Sequence, residues 1–138
     1  MGKMYGHTNI INEICIIDNR LWSCSSDESI RLWSTEVAFF CFLFFSINGS
    51  LTIVSTMQSL QCLQVIKREA PVYSITRVGP TIWCGENQII SVWNLEGNKK
   101  QPLRVLKNIH TDKIVCLLVV WDRIVWSASS DQSICIWS

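Results

Sequence analysis

The sequence has almost no clustered positive charge. No basic run exceeds two residues, as at Lys99-Lys100, and the formal net charge is +1. Nucleic acid and anionic membrane surfaces are held by clustered cations, so neither is the expected main partner. No two of the cysteines stand in a C-x-x-C spacing, and no cluster of metal ligands is visible. A Gly-rich phosphate loop is missing, as is any carboxylate pair with a plausible cleft. No catalytic role, cofactor or metal is therefore expected. The opening MGKMYGHT lacks the apolar core of a secretion signal, and Gly6 stands where a myristoylation signal needs Ser or Thr. The sequon Asn48-Gly49-Ser50 is accordingly expected to be idle.

What is present is apolar. Hydrophobic residues make up 49% of the 138, with seven tryptophans, enough for one domain with a sizeable core and too little chain for two. The seven cysteines are odd in number, and most lie in apolar, strand-like runs. They read as buried free thiols of a reducing compartment, which places the chain in the cytoplasm or nucleus.

The chain repeats itself. LWSCSSDESIRLW (Leu21 to Trp33) returns as VWSASSDQSICIW (Val125 to Trp137), and a third, looser copy ends in WCGENQIISVW (Trp83 to Trp93). Each copy gives a β-branched run, a turn, a strand containing Trp, a polar turn, and an alternating strand ending in Trp. Strands are expected near 11–18, 20–25 and 29–34, then 62–67, 71–78, 81–85 and 89–95, and finally 102–107, 113–121, 123–129 and 133–138. The fold class is all-β.

These segments resemble WD40 repeats, the blades of a β-propeller. By that resemblance a His before the first strand, a Ser on the second, an Asp in the next turn and a Trp on the third form one hydrogen-bonded network. His7, Ser25, Asp27 and Trp33 match those places, and so do His110, Ser129, Asp131 and Trp137. In both copies the Ser stands two before the Asp and the Trp six after it. A set that recurs once per blade is a clamp, whereas a Ser-His-Asp nucleophile needs an exposed hydroxyl and an oxyanion hole. The middle copy has Glu86-Asn87 in place of the Asp, and Arg68-Glu69-Ala70 where the His should be. It is expected to hold by packing alone, through Trp83, Ile90 and Trp93.

The resemblance implies a partial propeller of about three four-stranded blades, not closed by this chain alone. It forms a single repeat region over 1–138: blade 1 at about 7–67, blade 2 at about 71–107, and an incomplete blade 3 at about 110–138. Blade 1 is interrupted at 37–58 by the apolar run VAFFCFLFF and the more polar SINGSLTIVSTMQ after it. Excising that stretch joins LWSTE to SLQCLQVI, which reads as an uninterrupted junction. Three accounts are open: a translated T-rich intron, which is preferred, a hydrophobic docking loop, or a membrane-dipping segment. The last is disfavoured because the apolar run is far shorter than the roughly 20 residues a helical span needs.

The implied function is that of a non-catalytic scaffold or adaptor for other proteins or peptides, in a fragment of a larger propeller. The alternatives are the regulatory propeller of a longer signalling enzyme (a phosphoinositide phosphatase or GTPase regulator) and a truncated product that folds poorly. Self-association through open blade faces is a further expectation. The loops joining strands 4 to 1 and 2 to 3 supply the partner-facing candidates Asn9, Glu28, Arg68, Glu69, Glu86, Lys113 and Gln132. Trp121, at a strand end outside the repeated Trp positions, is either a docking anchor or a residue packed on a neighbouring blade.

Overall fold

The computed structural model describes residues 3–35, 39–45, 51–57, 61–96 and 101–138. Among them there is no helix, and so none long and apolar enough to cross a membrane. Strands β1 (Ile11–Ile17), β2 (Arg20–Ser25), β3 (Ser29–Trp33) and β6 (Cys62–Lys67) form one antiparallel sheet in the order β1-β2-β3-β6. A second sheet holds β7 (Ser74–Val78), β8 (Thr81–Gly85), β9 (Ile90–Asn94) and β10 (Arg104–Leu106) in sequential order. The third has β11 (Ile114–Val120), β12 (Ile124–Ser129) and β13 (Ile134–Trp137). These are three blades of an open arc.

Each blade is a meander whose first two strands are joined by a short turn. Asp18-Asn19 and Trp121-Asp122 both sit at positive φ between paired strands, the backbone that a tight hairpin requires. Strand alternation then gives every blade two apolar faces, and neighbouring blades bury them against each other. Ile17, Trp22, Cys24, Ile30 and Leu32 of blade 1 pack on Val72, Ile75, Ile82, Cys84 and Trp93 of blade 2. Ile90 and Val92 on the other face of blade 2 pack on Ile114, Leu117 and Val125 of blade 3. The first junction is tight: the void among Trp22, Ile30, Ile66, Ile82, Cys84, Trp93 and Asn94 is about 10 Å³, at or below the size of one water.

Polar contacts fix the blades in register. Glu13 on β1 accepts the Ile75 amide at 2.7 Å, Asn12 donates to the Val72 carbonyl at 2.7 Å, and the Asp18 carboxylate pairs with Arg77. Burial raises the Glu13 carboxyl pKa, and the hydrogen bond from Ile75 only partly opposes that. Burial likewise pushes the Cys24 thiol up to about 12 and Cys15 to about 11, with the Glu13 charge adding to both, so both stay protonated.

The interruption in blade 1 contains two strands that the sequence reading left out. Strand β4 (Phe39–Phe45) pairs with β5 (Leu51–Met57) as a two-stranded sheet of its own, from Phe39 opposite Met57 to Phe45 opposite Leu51. An unbroken apolar run shows no alternation, which is why periodicity missed it. Its ends, Val37 and Gln58, and the sequon at 48–50 lie outside the described residues, as does the Lys99-Lys100 run. β3 pairs with β6 across the interruption, and the Ser34 amide donates to the Gln61 carbonyl at 2.9 Å.

Candidate functional site

One face of the arc gathers the loops before β1, β7 and β11 and the turns after β2, β8 and β12. The clamps hold these loops together. His7 Nδ1 lies 2.9 Å from Asp27 Oδ2, and its Nε2 lies 2.6 Å from Ser23 Oγ. The Trp33 indole N–H donates to the same Ser23 Oγ at 2.8 Å. An ionised Asp27 can only accept, so Nδ1 carries a ring proton, and on a neutral ring the Ser23 hydroxyl then donates to Nε2. Blade 3 repeats the set: His110 Nδ1 to Asp131 at 3.1 Å, Nε2 to Ser127 Oγ at 2.7 Å, and the Trp137 indole to Ser127 at 2.9 Å.

The hydroxyl between ring and indole is thus Ser23 in blade 1 and Ser127 in blade 3, where the sequence reading put Ser25 and Ser129. All four lie on second strands, and residues two apart point to the same face, so spacing alone could not separate them. Ser25 and Ser129 do a different job. Each accepts the amide of its turn Asp, Asp27 at 3.0 Å and Asp131 at 3.1 Å, and each donates to a loop carbonyl, Asn9 and Asp112. Two further residues were missed. Ser29 and Ser133 give their hydroxyls to Asp27 and Asp131 at 2.5 and 2.6 Å. The signal for them was the Ser four residues before each final Trp.

Burial works against the Asp27 charge, but the Ser29 hydroxyl, the Thr8 amide and the His7 ring outweigh it and hold the carboxyl well below its usual range. At Asp131 the Ser133 hydroxyl is the leading cause of the same depression, against a smaller burial cost. This chemistry fastens turns. Ser23 is 2% exposed and Ser127 fully buried, and both hydroxyls are engaged by a ring and an indole, so neither is presented to a substrate.

Blade 2 does not hold by packing alone, as its sequence had suggested. Glu86, 2% exposed, accepts Arg68 Nε at 3.1 Å and Nη2 at 2.5 Å, and the Ser91 hydroxyl at 2.6 Å. The Trp93 indole donates to Ser91 at 2.9 Å, and the Arg68 guanidinium lies 4.2 Å over the Trp93 ring. Arg68 replaces the His, Glu86 the Asp and Ser91 the Ser. Cys84 stands at the strand position of Ser23 and Ser127, and Ser91 faces it across the ladder. The clamp is rebuilt with an ion pair, which a search for His and Asp could not find.

Two partner-facing candidates are therefore corrected: Arg68 and Glu86 are spent inside this clamp. The other five are exposed on the loop face. Glu28 and Gln132 occupy matching left-handed turn positions, at φ 60° and 71°. Asn9 accepts the next amide at 2.8 Å, and the Lys113 ammonium lies 5.6 Å over the Tyr73 ring. Glu69 is exposed beside Arg68. Trp121, on the opposite face, is 85% exposed. Among the described residues no group of three His, Cys, Asp or Glu is placed to hold a metal ion.

No family model matches the chain. It is 26% identical over 116 residues to a WD repeat-containing protein 89 homolog of Dictyostelium discoideum, covering 83% of the chain and 26% of that protein. Among solved structures it is similar to the RRP9 WD40 repeats (21% identity, TM-score 0.65, 96% of this chain and 36% of that one). It is also similar to the Doa1 WD40 β-propeller domain (19%, TM-score 0.61, 96% and 39%). The chain thus spans about a quarter of the curated relative and under two fifths of the solved propellers. Three antiparallel blades with repeated clamps, and these likenesses, show the fold: an open, three-bladed arc similar to WD40 β-propellers.

Proposed function

We propose that this chain is a non-catalytic part of a WD40 propeller and serves as a scaffold or adaptor for other proteins or peptides. One observation carries the reading: the loop face is rigid underneath and unspent on top. His7, Arg68 and His110 tie its loops to the turns, while Asn9, Glu28, Glu69, Lys113 and Gln132 are left to solvent. Variable side chains on a fixed frame are what a recognition surface requires. Two of the five are acidic and one is basic, which suits a mixed-charge protein surface better than a nucleic acid. Cys24 and Cys84, both buried as free thiols in the packing between blades 1 and 2, support a reducing, intracellular setting.

The test is site-specific photo-crosslinking in cells, followed by affinity measurement with each identified protein. Probes at Asn9 and Gln132 are expected to capture a common protein whose purified form binds the chain. Probes at Gly79 and Arg123, in turns on the opposite face, are expected to miss it. Equal capture from both faces, or loss of no binding in a Glu28→Lys, Glu69→Lys, Lys113→Glu variant, overturns the assignment.

A further inference from the structure

All five phenylalanines of the chain lie in β4, and they are spaced symmetrically. Phe39-Phe40-Cys41-Phe42-Leu43-Phe44-Phe45 reads the same in both directions about Phe42, except that Cys41 answers to Leu43. Within the chain this symmetry serves no pairing, because β5 sets Met57, Thr56, Val54, Thr52 and Leu51 opposite the five. A palindromic strand is complementary to itself when two copies run antiparallel.

The backbone supplies a second, independent observation. One edge of β4 pairs with β5, and among the described residues no strand pairs with the other. Such an edge presents a row of unpaired N–H and C=O groups, which proteins commonly blunt with charge, proline or a bulge. The outermost strands of blades 1 and 2 follow that rule, β6 carrying Lys67 and β10 carrying Arg104. β4 has none of the three. No charged residue and no proline stands between Glu36 and Lys67, and the β4–β5 register runs without a shift. The hairpin is inserted inside blade 1, between β3 and β6, so neither end of the chain creates this edge.

We propose that β4 pairs antiparallel with β4 of a second copy, centred on Phe42, to give a four-stranded sheet in the order β5-β4-β4-β5. That register sets Phe42 opposite Phe42, Phe40 opposite Phe44 and Phe39 opposite Phe45, with Cys41 opposite Leu43. Aromatic pairs across an antiparallel ladder are among those that stabilise it. The contact is isologous, so it closes at two chains. An unrelated partner strand would not require the palindrome.

The test is the solution mass of the 138-residue chain by light scattering, with near-ultraviolet circular dichroism to verify the blades. The wild type is expected at twice the monomer mass, and the chain lacking 37–58 at the monomer mass. Phe40→Glu, Phe44→Glu sets like charges opposite each other at both contacts and is expected to raise the dimer dissociation constant at least tenfold. Phe40→Glu, Phe44→Lys sets opposite charges there and is expected to remain a dimer, which a parallel pairing would not allow. Phe42→Lys and Phe42→Glu are each expected to run as monomers and, mixed one to one, to form a dimer. A monomeric wild type overturns the proposal, and so does a dimer that survives the deletion or Phe40→Glu, Phe44→Glu. Assemblies of more than two chains, a monomeric Phe40→Glu, Phe44→Lys variant, or a Phe42 mixture that stays monomeric overturn it equally.

Discussion

Cys84 and Ser91 face each other across β8 and β9, where Ser23 and Arg31 face each other in blade 1. The hydroxyl that receives the indole has crossed to the neighbouring strand, and a thiol fills the place it left. Burial raises the Cys84 thiol pKa far above its ordinary value, so it sits there as a small neutral group. Ser91→Ala should remove the Trp93 acceptor and one Glu86 donor together, at a cost of about 1–3 kcal/mol. Urea unfolding followed by tryptophan fluorescence checks it, and a loss below a few tenths would show the clamp to be idle.

The ion pair of blade 2 gives a sharper contrast. Glu86→Gln leaves Arg68, whose side chain is only 12% exposed, without its counter-charge. Breaking a buried pair from one side costs about 3–5 kcal/mol, whereas replacing both partners with apolar groups is often nearly neutral. The double variant Arg68→Met, Glu86→Leu should accordingly be more stable than Glu86→Gln. The same urea midpoints decide it.

Ser23 and Ser25 can be told apart by one resonance. Ser23→Ala strands the buried Trp33 indole N–H and should shift its proton signal, with about 1–3 kcal/mol lost. Ser25→Ala removes a turn contact and should leave that signal in place. A shift of equal size in both variants would contradict the geometry.

Acid should weaken the fold through its two clamp aspartates. Asp27 and Asp131 ionise more readily in the fold than in the unfolded chain, so the folded state holds fewer protons near the ordinary value of 3.8. Their contribution is present above that value and is lost as pH falls toward the folded one. Glu13 acts in the opposite direction. Its pKa is raised from 4.5, so its contribution is present below 4.5 and is lost as pH climbs through the folded value. Urea midpoints should therefore drop on acidification below about pH 4, and Asp27→Asn should flatten that limb. Glu13→Gln should flatten a smaller loss on the side above 4.5.

Removing 37–58 should leave blade 1 intact. Ser34 already bonds Gln61, and β3 already pairs with β6, so the excision leaves residues 35, 36, 59 and 60 to close a hairpin. Loops of about two to five residues are ordinary for that connection. The shortened chain is expected to keep the wild-type Trp33 indole resonance and a midpoint at least as high. Loss of both would make the β4–β5 hairpin part of the blade.

The blade strands were legible because alternation and the recurring Trp mark them: Ser29–Trp33, Ile90–Asn94 and Ile134–Trp137 all fall where the pattern put them. β7 is the exception, beginning at Ser74 and not near 71, because the Val72 amide is drawn to the Ser25 carbonyl of the preceding blade. No local pattern encodes that. The clamp was legible in residue type and not in identity. His7, Asp27 and Trp33 meet, but which of two same-face serines joins them depends on how deep the ring reaches. Arg68 and Glu86 read as surface charges because nothing in one sequence says that an arginine will lie over a tryptophan.

The three clamps share no side chain: His7 to Trp33, Arg68 to Trp93 and His110 to Trp137 are separate sets. A blade can therefore trade its locking side chains without changing its neighbours' clamps, because the contacts between blades are apolar packing and a few polar bonds outside the clamp side chains. Mutational drift is free to proceed one module at a time, and a gene for such an array can accumulate unlike repeats while the stack they build stays the same.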